Sequence, residues 1–555
     1  MRSPPNVDLD LAPPQLGGPI ASQLVDLTPH LAVLPIVLPL VVGAIMLLLD
    51  ERRGIFKAGL GAATTATLVL ISFVMLNTVS GDVDGVIVYR LADWAAPFGI
   101  VLVVDRLAAL MLMVTSLLAL ASFTFAVSGW AIVSPRFHSL FLLLVMGLNG
   151  AFLTGDLFNL YVFFEVLLAG SYGLLLHGSG RLRVRAGLQY IAVNLGSSML
   201  FLIGVGLIYA STGTLNMVDI MRVAAELQGG DVMVFRAGLA ILSIAFLTKA
   251  GVWPLSFWLP VAYPVATPPV AAMFVIMTKV GAYILLRIMT LAGGFPEAGL
   301  VEFLSPWLLY GGIATIFFGS MGVLASNQLP KIASYATLIT AGTLVAAVGT
   351  ADPRVISGAL YYLIGSTLAT GAAFLIAELI ARLRTVDSPV ASEPVVGPIF
   401  GDDYETSLED FEGYEVGVAI PAGTAMLGGA FVTSALVLAG LPPLSGYLGK
   451  FAIIRGVLAG SIGEAASWVL AAAVVLSGLA TLIALMRKGV EAFWRPGEET
   501  TAEVRSLEAL PIGLLLALCV ALAVFAAPTI AYLDATSAYL ANPVEYARNV
   551  LEIGR

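Results

Sequence analysis

Long uncharged apolar runs constrain the fold of this 555-residue chain more than any other feature. They recur along nearly the whole sequence, and hydrophobic residues make up 59% of it while charged residues make up only 11%. The water-exposed surface of a soluble protein could not accommodate this composition. The runs therefore exclude a soluble enzyme and predict an all-α integral membrane protein, because helices satisfy every backbone polar group within a lipid bilayer.

A helix needs roughly 20 apolar residues to cross a bilayer. Runs of about this length lie near 31–49, 58–79, 107–127, 139–155, 157–176, 188–210, 237–261, 269–292, 304–325, 332–350, 355–377, 422–458, 465–486 and 509–530. We therefore expect about fourteen transmembrane helices.

The segments between these runs indicate how the chain is oriented. Residues 1–29 are polar and rich in proline, residues 80–100 alternate as in a short hairpin, and residues 385–421 are acidic. Lys and Arg are more numerous in the loops that share a side with the 385–421 loop. The positive-inside rule then places this acidic loop in the cytoplasm, and the hairpin and both termini outside.

Four charged residues lie near the middle of predicted spans: Glu165, Lys249, Lys279 and Lys450. A charge at the centre of a transmembrane helix costs roughly 2.5 to 3.5 kcal/mol on insertion scales. Burial also destabilises the charged form of both residue types, which favours groups that exchange protons. We interpret the four residues as a proton relay, in which Glu165 and Lys249 form an ion pair.

A purely structural role is the competing interpretation of these charges. It suits Arg287 and Arg455, which lie nearer the ends of their predicted helices. It suits the lysines less well, because one embedded carboxylate cannot neutralise three amines. For Glu165 the sequence leaves both roles open.

A six-residue pattern, P-L-S-x-aromatic-L, occurs twice inside apolar runs. It begins at Pro254, five residues after Lys249, and again at Pro443, seven residues before Lys450. Proline removes a backbone donor and interrupts a helix. Two interrupted helices in corresponding halves of a chain are typical of transporters with an ion site near the middle of the membrane.

Other kinds of functional site find no support in the sequence. The three histidines, His30, His138 and His177, flank predicted spans, and Cys519 is the single cysteine. No P-loop, HExxH or GxGxxG spacing opens a plausible turn, and no basic nucleic-acid footprint exists. We therefore expect no metal, no cofactor and no nucleic-acid partner.

Four segments of the chain resemble a known family: FNLYVFFEVLLAGSYGLL, FLTKAGVWPLSFWLPVAYPVATPPVAAMF, MTKVGAYILLRI and LAGLPPLSGYLGKFAIIRG. The family is that of the D subunits of multisubunit Mrp/Pha monovalent cation/proton antiporters. It is related to the antiporter-like subunits of respiratory complex I. The resemblance extends over residues 30–530.

The resemblance implies a fold of fourteen helices with two inverted five-helix repeats, each containing a broken helix. It implies an N-terminal segment at 1–29, helices 1–3 with an outer hairpin loop at 30–135, a first repeat at 139–292, a second repeat at 304–486 that includes the acidic loop, and a last helix with a C-terminal tail at 508–555. Glu165 then resembles the glutamate of the fifth helix. Lys249, Lys279 and Lys450 resemble the lysines of the broken seventh helix, the eighth helix and the broken twelfth helix.

The chain departs from this family in the second half of the relay. Many relatives have a histidine in the eleventh helix, where this chain has Gly365, and some have a lysine near the position of Thr370. Hydroxyl groups could hold water in their place, because a hydroxyl both donates and accepts hydrogen bonds. The candidates are Ser334, Thr337, Thr340, Ser366, Thr367 and Thr370.

Two functions fit these observations. The favoured one is the proton-translocating subunit of a bacterial inner-membrane antiporter that exchanges Na⁺ or K⁺ for H⁺ with A/B, C, E, F and G-type subunits. The alternative is a proton-pumping subunit of a complex I-type quinone oxidoreductase or a membrane-bound hydrogenase. A buried lysine relay does not by itself reveal what drives it, so only family-level detail, such as the lysine at 450, favours the antiporter.

Overall fold

The computed structural model describes residues 29–50, 53–81, 85–94, 99–129, 136–177, 180–296, 299–385, 422–493 and 504–552. Nearly all of the N-terminal segment and of the acidic loop at 385–421 lies outside these ranges.

The described ranges contain nineteen α-helices and two β-strands. The helices are α1 (Leu34–Leu48), α2 (Gly54–Gly81), α3 (Arg106–Val127), α4 (Phe137–Leu153), α5 (Leu157–Leu175), α6 (Arg181–Thr212), α7 (Met217–Glu226), α8 (Gly230–Ala250), α9 (Leu259–Ala262), α10 (Pro268–Gly293), α11 (Leu300–Ala325), α12 (Leu329–Gly349), α13 (Pro353–Thr385), α14 (Ala422–Ala439), α15 (Ser445–Gly456), α16 (Glu464–Phe493), α17 (Ser506–Val524), α18 (Ala526–Leu540) and α19 (Pro543–Glu552). The strands are β1 (Ile87–Arg90) and β2 (Val101–Val104).

Twelve of the described helices are long and apolar enough to cross a membrane. The apolar helices α1 and α4 are shorter, at 15 and 17 residues. Together these helices fall one in each of the fourteen predicted runs. The prediction of a multi-pass all-α membrane protein is confirmed, and the inverted relation between its two repeats stays a prediction.

Three helices form the centre of the bundle. All residues in the most apolar stretch of α10 are buried, as are 94% of the residues in the corresponding stretches of α12 and α13. In α2, α6 and α17 only a third of the residues in this stretch are buried, so these helices present wide apolar surfaces outward. α10 packs against α3, α8, α12 and α13, which places Lys279 in the innermost layer.

Both proline-containing strings lie where the helical path is interrupted. α8 ends at Ala250, and Gly251 follows in a left-handed conformation with φ 71°. The second interruption begins after Ala439, where Gly440 has φ 77°, and α15 starts at Ser445. A left-handed residue stops a right-handed helix, and glycine adopts it without a Cβ clash. The predicted spans 237–261 and 422–458 are therefore each divided.

The predicted hairpin and the predicted C-terminal tail both need correction. β1 lies inside the 80–100 region, but its antiparallel partner β2 follows it, with Ile87 opposite Val104. The last predicted run, 509–530, divides at Phe525, and α18 and α19 then occupy most of the tail. The division has a clear cause, because the ring of Pro528 cannot be accommodated against the carbonyl of Val524 in a continuous helix.

Candidate functional site

Lys249 lies in the last turn of α8, immediately before the first break. The sequence predicts a position near mid-helix, because the apolar run continues through the break. A positive charge in the last turn is stabilised by the negative end of the helix dipole. The side chain is only 2% exposed, and its Nζ atom is 5.9 Å from the centre of the Phe164 ring.

The nearest polar partners of Lys249 and Glu165 come from α6. Lys249 Nζ donates a long hydrogen bond of 3.4 Å to Asn194 Oδ1. Ser198 donates its hydroxyl hydrogen to Glu165 Oε1. Asn194 and Ser198 lie one helical turn apart, so both point to the same side of α6.

The predicted ion pair between Glu165 and Lys249 is not a direct contact. The carboxylate and the amine still attract each other through space. Among the described residues, however, neither forms a salt bridge within 4.0 Å. The physical reason is that Asn194 and Ser198 supply the hydrogen-bond partners that each group would otherwise find in the other.

Lys279 lies near the middle of α10, as the sequence predicts, and its side chain is completely buried. Its Nζ atom donates to the hydroxyl of Thr340 on α12. Thr340 in turn donates its hydrogen to the carbonyl of Thr337, at 2.9 Å. The lone pairs of one hydroxyl therefore remain free to accept the lysine hydrogen.

Lys450 lies on α15, after the second break, and is 6% exposed. Its Nζ atom donates to the carbonyl oxygen of Ala439 at 3.1 Å. Ala439 is the last residue of α14, so the amine binds at the negative end of that helix. Lys249 and Lys450 thus both place a positive charge at the C-terminal end of an interrupted helix.

Two glycines provide the space around the Lys450 amine. A Cβ atom on Gly440 would lie 3.3 Å from Nζ and 2.6 Å from Cδ. A Cβ atom on Gly478 of α16 would lie 3.0 Å from Nζ and 2.4 Å from the Ala439 carbonyl oxygen. All four distances are shorter than a Cβ atom normally tolerates, so these positions require glycine for the amine to reach Ala439.

The last turn of α8 lies directly against α10. A Cβ atom on Gly281 would be 2.6 Å from the carbonyl oxygen of Phe246 and 2.8 Å from the amide nitrogen of Ala250. Such close backbone contact is possible because Gly281 has no side chain. The turn that carries Lys249 therefore packs two residues from Lys279 on the central helix.

The three lysines share one property. Each amine donates to a neutral oxygen: the Asn194 amide, the Thr340 hydroxyl or the Ala439 carbonyl. None of the three contacts a carboxylate among the described residues. A buried amine with a neutral acceptor can lose its proton without leaving an unpaired carboxylate behind, which suits proton transfer.

The serines of the two proline-containing strings are also buried. Ser256 and Ser445 are 1% and 0% exposed, and their hydroxyls have no hydrogen-bond partner in the described part of the chain. Ser445 Oγ lies 2.8 Å from where a Cβ on Gly365 would be. The serine hydroxyl therefore occupies the space that a side chain at position 365 would need.

The six hydroxyl residues that the sequence predicts as holders of water are all buried. Ser334, Thr337, Ser366 and Thr370 donate to carbonyls of their own helices, and Thr367 has no hydrogen-bond partner in the described ranges. Among the six, the structure brings only Thr340 into contact with a relay lysine. The water-holding role of the group stays a prediction.

Sequence reasoning misses four carboxylates that are buried in the described part of the chain: Asp105, Asp156, Asp352 and Glu508. Asp105 forms a two-pronged salt bridge with Arg287, at 2.6 and 2.9 Å, and Glu508 pairs with Arg382 at 2.6 Å. Glu165, by contrast, is only partly buried. A recognisable signal exists for Asp105, which lies two residues before an apolar run and caps α3 by accepting from the amide of Ala108 at 2.8 Å.

The first break has a polar neighbour that sequence reasoning also misses. The backbone amide of Trp253 donates to the hydroxyl of Thr315 on α11, at 2.9 Å. Because the interrupted helix leaves backbone groups without partners, a side chain from another helix has to satisfy them. Thr315 and Asn194 are neutral residues within apolar runs, and only packing reveals their partners.

Comparison with known proteins places the chain in a defined sequence family. Residues 154–395 match the family model described as "NADH:quinone oxidoreductase/Mrp antiporter, TM". The D subunit of a probable K⁺/H⁺ antiporter of Rhizobium meliloti is 47% identical over 96% of this chain and 99% of its own length. The D subunit of the Na⁺/H⁺ antiporter of Alkalihalophilus pseudofirmus is 33% identical over 94% of this chain and 99% of its own length.

A solved structure has the same fold. A chain of the Mrp complex from Dietzia sp. DQ12-45-1b superposes with a TM-score of 0.80 and 25% sequence identity. The alignment covers 95% of this chain and 100% of the other.

Proposed function

The chain belongs to the NADH:quinone oxidoreductase/Mrp antiporter family, together with antiporter D subunits, and on this basis we propose that it translocates protons in exchange for a monovalent cation. The cation is K⁺ or Na⁺, the two that the similar D subunits are named for. The protein is a subunit of a secondary transporter rather than an enzyme. It works with A/B, C, E, F and G-type subunits in a bacterial inner membrane, with both termini outside.

One observation carries this proposal. Three buried amines, on α8, α10 and α15, each donate to a neutral oxygen rather than to a carboxylate. An ammonium group that only held helices together would be expected to pair with a buried acid, as Arg287 does with Asp105. The lysine sites are built differently, which suits amines that change between charged and neutral forms.

The proposed proton route runs from Lys249 to Lys279 and then to Lys450. A proton leaves the Lys249 ammonium for a water molecule, and the water passes a proton to the neutral amine of Lys279. The same exchange, through water held by hydroxyls such as Thr367 and Ser445, protonates Lys450. Glu165 changes the proton affinity of Lys249 electrostatically, and we refer to these two residues as the acid–base couple. Cation movement elsewhere in the assembly changes the proton affinity of this couple.

Replacement of Lys249 or Glu165 by alanine tests the proposal. The variants are expressed within the complete subunit assembly, and cation-dependent proton flux is measured in membrane vesicles. We expect flux to fall to background in both, because the first proton carrier or its electrostatic partner is missing. Lys488→Gln is the matched control, since Lys488 pairs with Glu491 at 2.8 Å near the end of α16 and should be dispensable. Wild-type flux in both alanine variants would reject the proposal.

The redox-linked alternative remains a second candidate because the matching family model also covers quinone oxidoreductases. Flux measured with K⁺ or Na⁺ gradients in the absence of any electron donor separates the two. An antiporter subunit supports proton movement under these conditions, whereas a redox-driven pump requires electron transfer.

A further inference from the structure

Helix α6 makes an unexpected contribution to the acid–base couple. It lies at the periphery of the bundle, and only a third of the residues in its most apolar stretch are buried. Nevertheless, it directs two polar side chains inward, and Asn194 and Ser198 are 2% and 8% exposed. Buried polar groups are expensive unless they are hydrogen-bonded, so their partners indicate why they are present.

The hydrogen-bond partners of Ser198 and Asn194 are the two members of the acid–base couple, Glu165 and Lys249. Ser198 donates to Glu165, and Asn194 Oδ1 accepts from Lys249. The other side of the Asn194 amide is fixed, because Nδ2 donates to the carbonyl of Tyr190 at 2.8 Å. This bond directs the amide oxygen, rather than the amide nitrogen, toward the lysine amine.

The chemistry of these contacts favours one state of the couple. A hydroxyl donor stabilises a carboxylate, and an amide oxygen stabilises an ammonium. Together they stabilise both charges while the charges are apart. In a direct ion pair the carboxylate itself would accept from the ammonium, and the α6 contacts would be redundant. Neither an amide nor a serine hydroxyl titrates near neutral pH, so these residues do not carry protons themselves.

We propose that Asn194 and Ser198 are positioning residues that hold Glu165 and Lys249 in a separated, doubly charged state and thereby set when Lys249 releases its proton. This inference rests on the proposed function of the Glu165–Lys249 couple. In this inference, α6 determines the relative stability of the separated state and the direct ion pair.

Other titratable groups surround the couple. Tyr172 on α5 interacts electrostatically with Glu165, and Tyr190 on α6 packs edge-to-face against Tyr172. Tyr263 lies in the same aromatic cluster as Tyr190, and α10, which carries Lys279, packs against the last turn of α8. Phenols ordinarily ionise near pH 10, outside the range of a transport assay. Lys279 is unchanged in every variant below and contributes equally to each pH profile.

The test is the pH profile of cation-dependent proton flux in vesicles that contain the complete assembly. Asn194→Leu removes the acceptor of the ammonium, so the alkaline limb should move about one pH unit toward acid. Ser198→Ala removes the donor to the carboxylate, so the acid limb should move toward alkaline pH. The profile therefore narrows from opposite sides in the two variants. Ser198→Thr keeps the hydroxyl and should restore the wild-type limb.

Matched controls separate positioning from general damage. Ser197→Ala removes a neighbouring α6 hydroxyl that donates to Ala245 O at 3.0 Å. Asn149→Leu removes a buried amide on α4 that donates to Pro35 O at 2.9 Å. Both controls should keep the wild-type pH profile even if they lower the amount of folded protein.

The outcomes distinguish this inference from the proposed function. Unshifted limbs in Asn194→Leu and Ser198→Ala, combined with lost flux in Lys249→Ala and Glu165→Ala, would overturn the positioning role and leave the transport function intact. Wild-type flux in both Lys249→Ala and Glu165→Ala would overturn the function itself. Shifts equal to those of the two control variants would likewise reject a specific role for α6.

Discussion

The acceptor given to each buried amine is the feature that distinguishes these lysines from structural charges. Lys279 is the simplest case, because its hydrogen-bond partner in the described part of the chain is a single hydroxyl, that of Thr340. The hydroxyl can accept a hydrogen bond from either form of the lysine, because an ammonium and a neutral amine both carry N–H donors. Lys279 can therefore change its protonation state without a rearrangement of charged neighbours.

Substitution of Thr340 by valine tests this arrangement. Valine has nearly the same shape but no acceptor, and loss of a hydrogen bond to a buried charged group is worth about 1.5–3 kcal/mol. We expect proton flux to fall about tenfold, measured in vesicles with the assembled complex. Thr343→Val is the control, because Thr343 is also buried and, among the described residues, its hydroxyl bonds only to Ile339 O of its own helix. Equal flux in the two variants would contradict the role of Thr340.

The sequence identifies the charged members of the site but not their neutral partners. Glu165 and the three lysines stand out because a charge within an apolar run is rare and costly. Asn194 and Ser198 do not stand out, because small polar residues are common in membrane helices. Their importance depends on which side of α6 meets α5 and α8, and packing decides this.

Helix ends, rather than helix centres, position two of the lysines. The α8 terminus is set by Gly251, whose left-handed backbone stops the helix two residues after Lys249. Sequence reasoning locates the break at Pro254 and predicts Lys249 near mid-helix. The predicted and observed ends of the helix differ because a glycine that ends a helix does not interrupt the hydrophobic pattern of an apolar run.

Gly251→Ala is expected to disturb the Lys249 site specifically. A left-handed alanine costs roughly 1 kcal/mol, and its Cβ would lie 2.9 Å from Leu338 Cδ2. Leu338 or the last turn of α8 must then shift, and flux should fall severalfold. Gly213→Ala is the matched control, since Gly213 caps α6 with φ 68° and has nothing near its Cβ position. It should carry the same backbone strain but retain normal flux, and a similar loss in both would refute a local effect.

The whole molecule combines a hydrophobic bundle with a few fully paired charges. Asp105 and Arg287 join the start of α3 to the end of α10. The Arg287 guanidinium also lies 5.1 Å from the Tyr546 ring centre of α19, and Arg90 donates to the Val550 and Leu551 carbonyls. These contacts attach the C-terminal helices to the hairpin and the bundle.

Asp105→Asn should lower the stability of the bundle without changing the transport pH profile. The variant retains an oxygen for the α3 cap but leaves the Arg287 charge uncompensated, at a cost of about 3–5 kcal/mol. Thermal unfolding in detergent should shift to lower temperature. Arg222→Gln, which disrupts an exposed ion pair with Asp219, should change little. Adding Arg287→Met to Asp105→Asn should recover part of the loss, and no recovery would contradict this explanation.

The overall architecture is largely predictable because hydrophobic runs directly report helices in a membrane protein. All fourteen runs contain an apolar helix, although the runs at 237–261, 422–458 and 509–530 are divided. The burial of the Asp105 and Glu508 carboxylates is not predictable in this way, because each lies at a helix start that the sequence places near the interface. Their burial follows from arginines supplied by distant helices.

Cation-dependent proton flux through a Lys279→Met variant, measured in vesicles with the complete assembly, tests the central claim most directly. Methionine fills the same space without charge, and a fully buried position should accept it with thermal stability kept or raised. The proposed relay then predicts that flux is lost although the protein is folded and assembled. Wild-type flux in this variant would contradict the relay.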